Sequence, residues 1–362
     1  GPDETYMALR AGFNWSHWTP ADPGHFFLLS RGAVLVPYQQ WAYWSCADRP
    51  QPHPEFDLHN VIRFGHPENT WPYGWPDCNV LDHAFGPTVD YAWASTGFPD
   101  WFISPGIAEP FRQPTDVNIP IDNYRKLAEQ YEQKQGAVEW DRQVMFLKGR
   151  SAKSPNYFVM RDSVAGDGRL AAYLYLSLLG RQDQVAIDKG RFVLDSEWPT
   201  VMDVVFTDPE SVRPDFYEER QRVTLHGTNL ASRIEKGKPI SRDWVAKDGT
   251  PLKAGDRSGY EQRVFLRVPN GPGEDYLWVL YPRAEGEPAP QIQRLAEGAL
   301  KITHPEGTDY ILLAPHEMAF AGEDVDFRGA AGAVRVGKDT VTLALSGGAG
   351  RVGYKGHVIE GV

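Results

Sequence analysis

Tryptophan and histidine are concentrated in the first part of the chain. Eight of the 12 tryptophans lie within the first 101 residues, and six of the ten histidines lie within the first 83. A buried indole must find a partner for its N–H group, so this loading is unusual for an ordinary core. Flat aromatic faces beside polar groups suit sugar rings, and we therefore predict a sugar-binding cleft. Any single tryptophan could equally be a core or loop residue. The predicted substrate-binding residues are Trp15, Trp18, Arg31, Trp41, Trp44 and Trp71.

Four blocks of sequence occur in a characteristic order: Leu9–Leu35, Leu58–Ile62, Trp140–Asp162 and Tyr276–Pro282. Together they resemble the C-terminal β portion of the heparinase II/III-type polysaccharide lyases. The first block is similar to the family pattern HxHxDxGxF, which a strand and Gly-x-x-Leu follow. The second matches a His-Asn strand, the third two strands with Trp-x-Arg-Gln and Tyr-Phe-Val-x-x-Asp, and the fourth the last strand of the β domain.

The first block departs from the family pattern at two positions. Trp18 and Pro20 stand where the family has histidines, the first implicated in catalysis and the second able to bind a structural zinc. Neither role transfers to these residues. His17 is one position away, and a strand irregularity beside Pro20 could re-aim it. The positions that agree with the pattern are Asp22, Gly24, Phe26 and, in the second block, His59.

The resemblance implies β-elimination on a uronic-acid polymer. A base removes the proton beside the carboxylate, an acid protonates the leaving oxygen, and a third group neutralises the enolate. The candidates are His17 and Tyr38 for proton transfer, with His59, Asn60 and Arg31 for charge. His17 could instead be a loop histidine and Arg31 a solvated turn cation. The His59-Asn60 pair has no packing reason to be polar.

Metal binding is not favoured. Imidazole and carboxylate suit zinc, and Asp22 and His59 survive from the family pattern, but two ligands hold zinc weakly. A third ligand could come from His17 or His66 only if their loops fold towards Asp22. We therefore predict no stoichiometric metal and no other cofactor, with His59 in a hydrogen-bonding role beside Asn60.

The elements that must position these residues are short strands. Frequent Gly (35) and Pro (29) leave little room for long helices. One surface helix is predicted over 121–135, and a Pro/Glu-rich linker over 282–290. We predict an all-β chain: a large two-layer β-sandwich (supersandwich) over 1–285 and a smaller C-terminal β domain over 286–362. The predicted strands include 26–29, 142–147, 157–160, 201–206, 263–268 and 276–280.

Charge and hydropathy exclude two classes of partner. The net charge of −11 argues against a nucleic-acid partner. The sequence contains no run of eighteen apolar residues, so no transmembrane helix is predicted. An acidic total is compatible with a locally basic cleft for an acidic polysaccharide. The residues Gly1-Pro2 resemble a protease scar, so a signal peptide or an upstream domain could have been removed.

The resemblance implies an α/α-toroid upstream, which would supply part of the cleft, and a periplasmic or secreted location. Cys46 and Cys78 are either two thiols or one disulfide. In an oxidising compartment we predict the disulfide, which would close the loop carrying His59 and stabilise it by roughly 3 kcal/mol.

Two main functional hypotheses follow from the sequence. The first is a polysaccharide lyase acting on an acidic glycan, of which this chain is the C-terminal portion. The second is a non-catalytic carbohydrate-binding or structural module that kept the fold, as the residues at positions 18 and 20 suggest. Another glycan-cleaving reaction on the same scaffold, such as hydrolysis, is a third.

Overall fold

The structure is a computed structural model, and most of the residues that it describes form β-strands. The described residues are 4–11, 24–37, 60–64, 77–98, 138–166, 172–179, 185–195, 200–209, 215–224, 234–235, 238–239, 258–270 and 274–361. No helix occurs in these ranges, and the helix predicted over 121–135 lies outside them. None of the described part could cross a membrane as a helix.

The strands are numbered in chain order. The first twelve are β1 (Tyr6–Leu9), β2 (Phe26–Ser30), β3 (Ala33–Val36), β4 (Ile62–Phe64), β5 (Asp77–Phe85), β6 (Val89–Phe98), β7 (Val138–Leu147), β8 (Tyr157–Gly166), β9 (Ala172–Leu179), β10 (Val185–Asp188), β11 (Arg191–Asp195) and β12 (Thr200–Asp208). The remainder are β13 (Asp215–Thr224), β14 (Ile234–Glu235), β15 (Lys238–Pro239), β16 (Ser258–Asn270), β17 (Tyr276–Ala284), β18 (Gln291–Ala296), β19 (Ala299–His304), β20 (Gly307–Gly322), β21 (Val325–Gly337), β22 (Val341–Ser346), β23 (Gly350–Tyr354) and β24 (His357–Gly361).

An eight-stranded antiparallel sheet forms the centre of the fold. Its order is β10-β11-β12-β17-β8-β7-β6-β5. Alternate residues of a strand point to opposite faces. Both faces are buried in the middle strands of this sheet, such as β17 and β8, whereas the edge strands β5 and β10 are largely exposed. In β17, for example, Trp278 and Leu280 belong to one core, whereas Leu277 and Val279 belong to the other. Burial on both sides explains why the predicted strand 276–280 is an uninterrupted apolar run.

The first core lies between one face of the central sheet and two smaller sheets. These are the three-stranded sheet β1-β2-β3 and the four-stranded sheet β13-β16-β9-β4. Phe26 and Leu28 of β2 pack in this core with Leu174 and Leu176 of β9 and with Trp278 of the central sheet. This two-layer arrangement confirms the predicted all-β sandwich.

The C-terminal strands form a further antiparallel sheet with the order β18-β19-β20-β21-β23-β24, and β22 pairs with β21. Leu300, Ile302, Ile311 and Leu313 on one of its faces pack against the second face of the central sheet. A separate small cluster, which includes Phe327, forms its own core. The central sheet is therefore the middle layer between two cores.

The connection between the central and C-terminal sheets is shorter than the linker predicted over 282–290. Pro282 belongs to β17 and pairs with Met202 of β12. On its other side β17 pairs with β8 only as far as Leu280, so the missing N–H of Pro282 interrupts no second ladder. The turn that follows begins at Glu285, and the predicted boundary between 285 and 286 falls in it. All the strands predicted over 26–29, 142–147, 157–160, 201–206, 263–268 and 276–280 are confirmed.

Candidate functional site

Two of the predicted site residues, Arg31 and Asn60, belong to the described part of the chain, and His25 of the first block does too. The others lie outside the described residues, and their predicted roles stay predictions: His17, Tyr38, His59, Trp15, Trp18, Trp41, Trp44, Trp71 and the disfavoured zinc ligand Asp22. The described geometry therefore concerns the residues that flank them. It shows how the fold fixes the ends of the segments 12–23 and 38–59.

Asn60 is fully buried and makes four hydrogen bonds. Its side-chain Nδ2 donates to the carbonyl oxygen of Phe26 at 2.8 Å, and its Oδ1 accepts from the backbone N–H of Ser177 at 2.7 Å. These two partners fix the orientation of the amide, because one must accept and the other must donate. Asn60 thus ties the start of β2 to β9, and its side chain is committed to the protein backbone.

His25 is fully buried and binds the same residue. The backbone N–H of Asn60 donates to Nδ1 of His25 at 2.9 Å. A ring nitrogen that accepts a hydrogen bond carries no proton, so the neutral imidazole has its proton on Nε2. His25 therefore joins the flank of the segment 12–23 to the flank of the segment 38–59.

A buried ion pair between Arg142 and Asp162 lies beside these two residues. The Nε atom of Arg142 donates to Oδ1 of Asp162 at 2.6 Å, and both side chains are almost completely inaccessible to solvent. Asp162 also accepts a hydrogen bond from Nε1 of Trp140 and another from Nε1 of Trp278, each at 2.9 Å. Burial of an ion pair is costly unless further hydrogen bonds satisfy its polar atoms, and the two indoles supply such bonds to the carboxylate.

The same arginine binds both flanking segments. Its Nη1 atom donates to the carbonyl oxygens of Gly24 and Asn60, each at 2.6 Å. Since one nitrogen atom contacts both oxygens, these two carbonyls are immediate neighbours. Asp22 and His59 are close in sequence to them. We call Arg142, Asp162, Trp140 and Trp278 the arginine hub.

Gly24 is fitted to the hub by the absence of a side chain. Its φ of +77° lies in the left-handed region, and a Cβ atom there would lie 2.6 Å from the Trp140 ring. Two residues later, the ring of Phe26 lies under the Arg142 guanidinium, with 5.2 Å from the carbon atom Cζ to the ring centroid. Both motif residues therefore have a packing role, and this role explains why glycine and phenylalanine stand at these two positions.

The four blocks of the sequence resemblance meet at this hub. Gly24 and Phe26 come from the first block, Asn60 from the second, the Arg142–Asp162 pair from the third and Trp278 from the fourth. The sequence pattern assigns these residues to the blocks but predicts no buried cluster that joins them. The local signal for such a cluster is the presence of charged residues within strands of which the rest is largely apolar, such as Arg142 in β7 and Asp162 in β8.

Arg31 lies at the opposite end of β2 from Asn60, roughly 15–20 Å away at about 3.3 Å per residue. It has φ +52° and forms the β2–β3 turn with Gly32. Its guanidinium donates to the carbonyl oxygen of Lys153 at 2.9 Å and forms an ion pair with Glu287 at 3.2 Å. The structure does not bring Arg31 together with Asn60, and the Arg31 side chain is bound within the protein.

Comparison with known proteins identifies solved structures with a similar fold. No family model matches the chain, and no curated protein matches it. Among solved structures it is similar to a heparan sulfate lyase, HepC, from Pedobacter heparinus, at 14% sequence identity and a TM-score of 0.50, over 85% of this chain and 39% of that one. It is also similar to a heparinase III structure, at 12% identity and a TM-score of 0.49, over 95% of this chain and 39% of that one. At such identity the likeness to HepC concerns the fold, and this chain spans about two fifths of that lyase.

Proposed function

We propose that the intact protein is a polysaccharide lyase that cleaves a uronic-acid-containing acidic polysaccharide by β-elimination, and that this chain is its C-terminal portion. The observation that carries the proposal is the arginine hub. It joins the four family-like blocks in one buried cluster and fixes the flanks of the segments that carry His17, Tyr38 and His59. The fold shared with the heparan sulfate lyase HepC supports the same class of reaction.

The proposed reaction needs three roles. A base, His17 or Tyr38, takes the proton from the carbon beside the uronate carboxylate. The electron pair left behind forms a carbon–carbon double bond as the glycosidic C–O bond breaks. The other proton-transfer group protonates the leaving oxygen, so one proton is taken up and one is given. His59 contributes to neutralising the carboxylate while the charge is spread into it.

The described residues would contribute positioning. A shift of about 1 Å in a catalytic group can lower a rate by about 100-fold, so the ends of segments 12–23 and 38–59 require a rigid support. Arg142 supplies it by holding the Gly24 and Asn60 carbonyls to one nitrogen atom. Asn60, which was predicted as a catalytic residue, acts in this proposal through its neighbour His59, because its own side chain is bound to Phe26 and Ser177.

The remaining parts of the proposal concern what surrounds this chain. An α/α-toroid domain upstream would complete the cleft, and a periplasmic or secreted location would give the enzyme access to its polysaccharide. Arg31 and the tryptophans Trp15, Trp18, Trp41, Trp44 and Trp71 remain the proposed substrate-binding residues.

The direct test is an assay of the natural full-length protein on a panel of uronic-acid polysaccharides. Ultraviolet absorbance of the unsaturated product reports elimination, and we expect it with at least one polymer. His17→Ala and His59→Ala should abolish it without loss of the folded state. Binding to the polymers without unsaturated product, unaffected by either substitution, would instead identify a non-catalytic carbohydrate-binding module, to which Trp18 and Pro20 in place of the motif histidines point. Release of reducing sugar without unsaturation would indicate hydrolysis.

A further inference from the structure

A cleft of about 370 Å³ opens where the central and C-terminal sheets meet. Its walls come from three turns: 148–150 after β7, 304–306 between β19 and β20, and 337–340 between β21 and β22. The arginine hub lies on the face of the central sheet that packs into the first core. The cleft lies on the other side of that sheet, beside the second core. The cleft is therefore a separate feature from the candidate site of elimination.

The base of the cleft is a rigid network of buried polar groups around Asp309. This carboxylate accepts hydrogen bonds from the Tyr157 hydroxyl at 2.6 Å and from Nε of Arg335 at 3.2 Å. His304 donates from Nε2 to the same carboxylate at 3.1 Å, since its Nδ1 already accepts the backbone N–H of Glu306. Arg335 balances the charge of Asp309. The Asp309 carboxylate is thus held by three side chains and paired with one arginine.

The mouth of the cleft carries two exposed cationic side chains that are not held in ion pairs. Arg150 and Lys338 line it, are exposed, and form no ion pair with any carboxylate in the described part of the chain. Lys148, in contrast, is held by Asp90 at 2.7 Å. The exposed acid of the lining is Glu306. On a chain with a net charge of −11, this is a local concentration of positive charge.

Hydroxyl groups complete the chemistry of the mouth. Thr88, Thr340 and Thr342 line the cleft, and Nη2 of Arg150 donates to Oγ1 of Thr340 at 3.1 Å, which orients the guanidinium. None of the described residues that line the cleft is Phe, Tyr or Trp. A ligand would therefore be held by charge and hydrogen bonds rather than by stacking on a ring. The volume lies within the range of about 300–1,000 Å³ that is usual for small-molecule pockets.

We propose that this cleft binds a sulfate- or carboxylate-bearing sugar unit of an anionic glycan, outside the site of cleavage. The choice of a sugar rests on the proposed function, whereas the choice of an anion rests on Arg150 and Lys338. The guanidinium and the ammonium group bind the anionic substituent, and the threonine hydroxyls bind ring hydroxyls. Such a site would hold one part of a long polymer on the C-terminal sheet while another part occupies the cleavage site.

The test measures binding of uronate oligosaccharides, sulfated and unsulfated, to this chain by calorimetry. Arg150→Ala combined with Lys338→Ala should weaken binding of at least one of them about tenfold, at about 50 mM salt, as expected for two exposed charge pairs. The matched control is Arg351→Ala with Lys355→Ala. It removes two exposed cations from the same sheet away from the cleft, and it should leave binding unchanged.

Three results would overturn the proposal. One is absence of binding by both oligosaccharides, and another is an equal loss of affinity in the cleft variant and the control variant. The third is equally tight binding of a DNA oligonucleotide of the same charge, which would show general attraction of polyanions. The sulfated and unsulfated ligands identify which anionic group is bound.

The elimination assay on the full-length protein separates this inference from the proposed function. Cleft-dependent binding without unsaturated product would support the cleft and contradict the lyase. Unsaturated product without cleft-dependent binding would support the lyase and contradict the cleft. A short oligosaccharide that fills only the cleavage site should be turned over equally by the wild-type protein and the cleft variant.

Discussion

Substitution of Asp162 by Asn would test whether the arginine hub stabilises the fold. Asp162 is fully buried and accepts hydrogen bonds from three donors, on Arg142, Trp140 and Trp278. Asp162→Asn removes the negative charge and leaves the Arg142 guanidinium buried without a counter-ion. Loss of one partner of a buried pair costs about 3–5 kcal/mol. For a protein of 362 residues, an unfolding entropy of about 2.1 cal/mol/K per residue converts this cost into a fall in Tm of about 4–7 °C.

The control for this experiment is an ion pair at the surface. Asp326 pairs with Arg351 at 3.0 Å, and both side chains are about half exposed. Asp326→Asn should cost less than about 1 kcal/mol because water screens exposed charges. Thermal and urea unfolding of both variants, followed by circular dichroism, would give the comparison. A fall in Tm for Asp162→Asn no larger than that for Asp326→Asn would refute the reasoning.

A double substitution would distinguish two contributions to this cost: loss of the Arg142–Asp162 attraction and burial of the Arg142 charge without a partner. If the buried cation is the main penalty, Arg142→Met should partly rescue Asp162→Asn, and the two single losses should sum to more than the double loss. Additive losses would show that the hydrogen bonds of the two indoles dominate instead. In the variants that contain Arg142→Met, the carbonyls of Gly24 and Asn60 lose their common hydrogen-bond donor, so we expect the flanks of the candidate site to be less well fixed.

Other predictions concern single residues. Gly24→Ala should lower the free energy of unfolding by about 2 kcal/mol or more, because the added methyl group meets an indole ring, whereas Gly286→Ala, with similar φ and open space, should cost about 1 kcal/mol. For Asp309, burial raises the pKa, but hydrogen bonding to His304 and the charge of Arg335 outweigh burial and hold the pKa below the usual value of an aspartate. Asp309→Asn should therefore lower Tm at pH 7, and the difference should shrink as the pH falls below about 4. For Asp141, burial and two neighbouring carboxylates raise the pKa, so Asp141→Asn should raise Tm at pH 7 and have little effect in acid; an unchanged or lower Tm at pH 7 would contradict this. Elemental analysis after dialysis should find no stoichiometric zinc, and about one zinc per chain that is lost in His59→Ala would overturn that expectation.

The strands could be predicted from the sequence because their signal is local. The apolar runs in β8, β12 and β17 are long enough to identify strands, and turn residues delimit them. The linker was predicted too long for a reason that is not local. Pro282 signals a break, yet it is accommodated in β17 because β8 has already ended beside it.

The contacts within the arginine hub could not be predicted from the sequence, although all four of its residues belong to the blocks that resemble the lyase family. Arg142 binds Asp162 across 20 residues and Gly24 across 118, and no local pattern encodes such pairs. Arg31 illustrates the same limit. The sequence left it as a solvated turn cation or a substrate ligand, whereas its ion-pair partner Glu287 lies 256 residues away. Disulfide formation between Cys46 and Cys78 also stays a prediction, since Cys78 is buried in β5 and Cys46 lies outside the described residues.

The position of β17 has a consequence for biosynthesis. It lies between β12 and β8 in the central sheet, yet it is the last of the eight strands to leave the ribosome. Until residue 284 has been translated, β8 and β12 each lack the strand that pairs with both of them in the folded sheet, so each has one unpaired edge. Unpaired edges of this kind are sites of aggregation, so the nascent chain is vulnerable over more than 70 residues of translation after β12. Insertion of β17 then closes the sheet, covers both edges at once and places Trp278 on the carboxylate of Asp162.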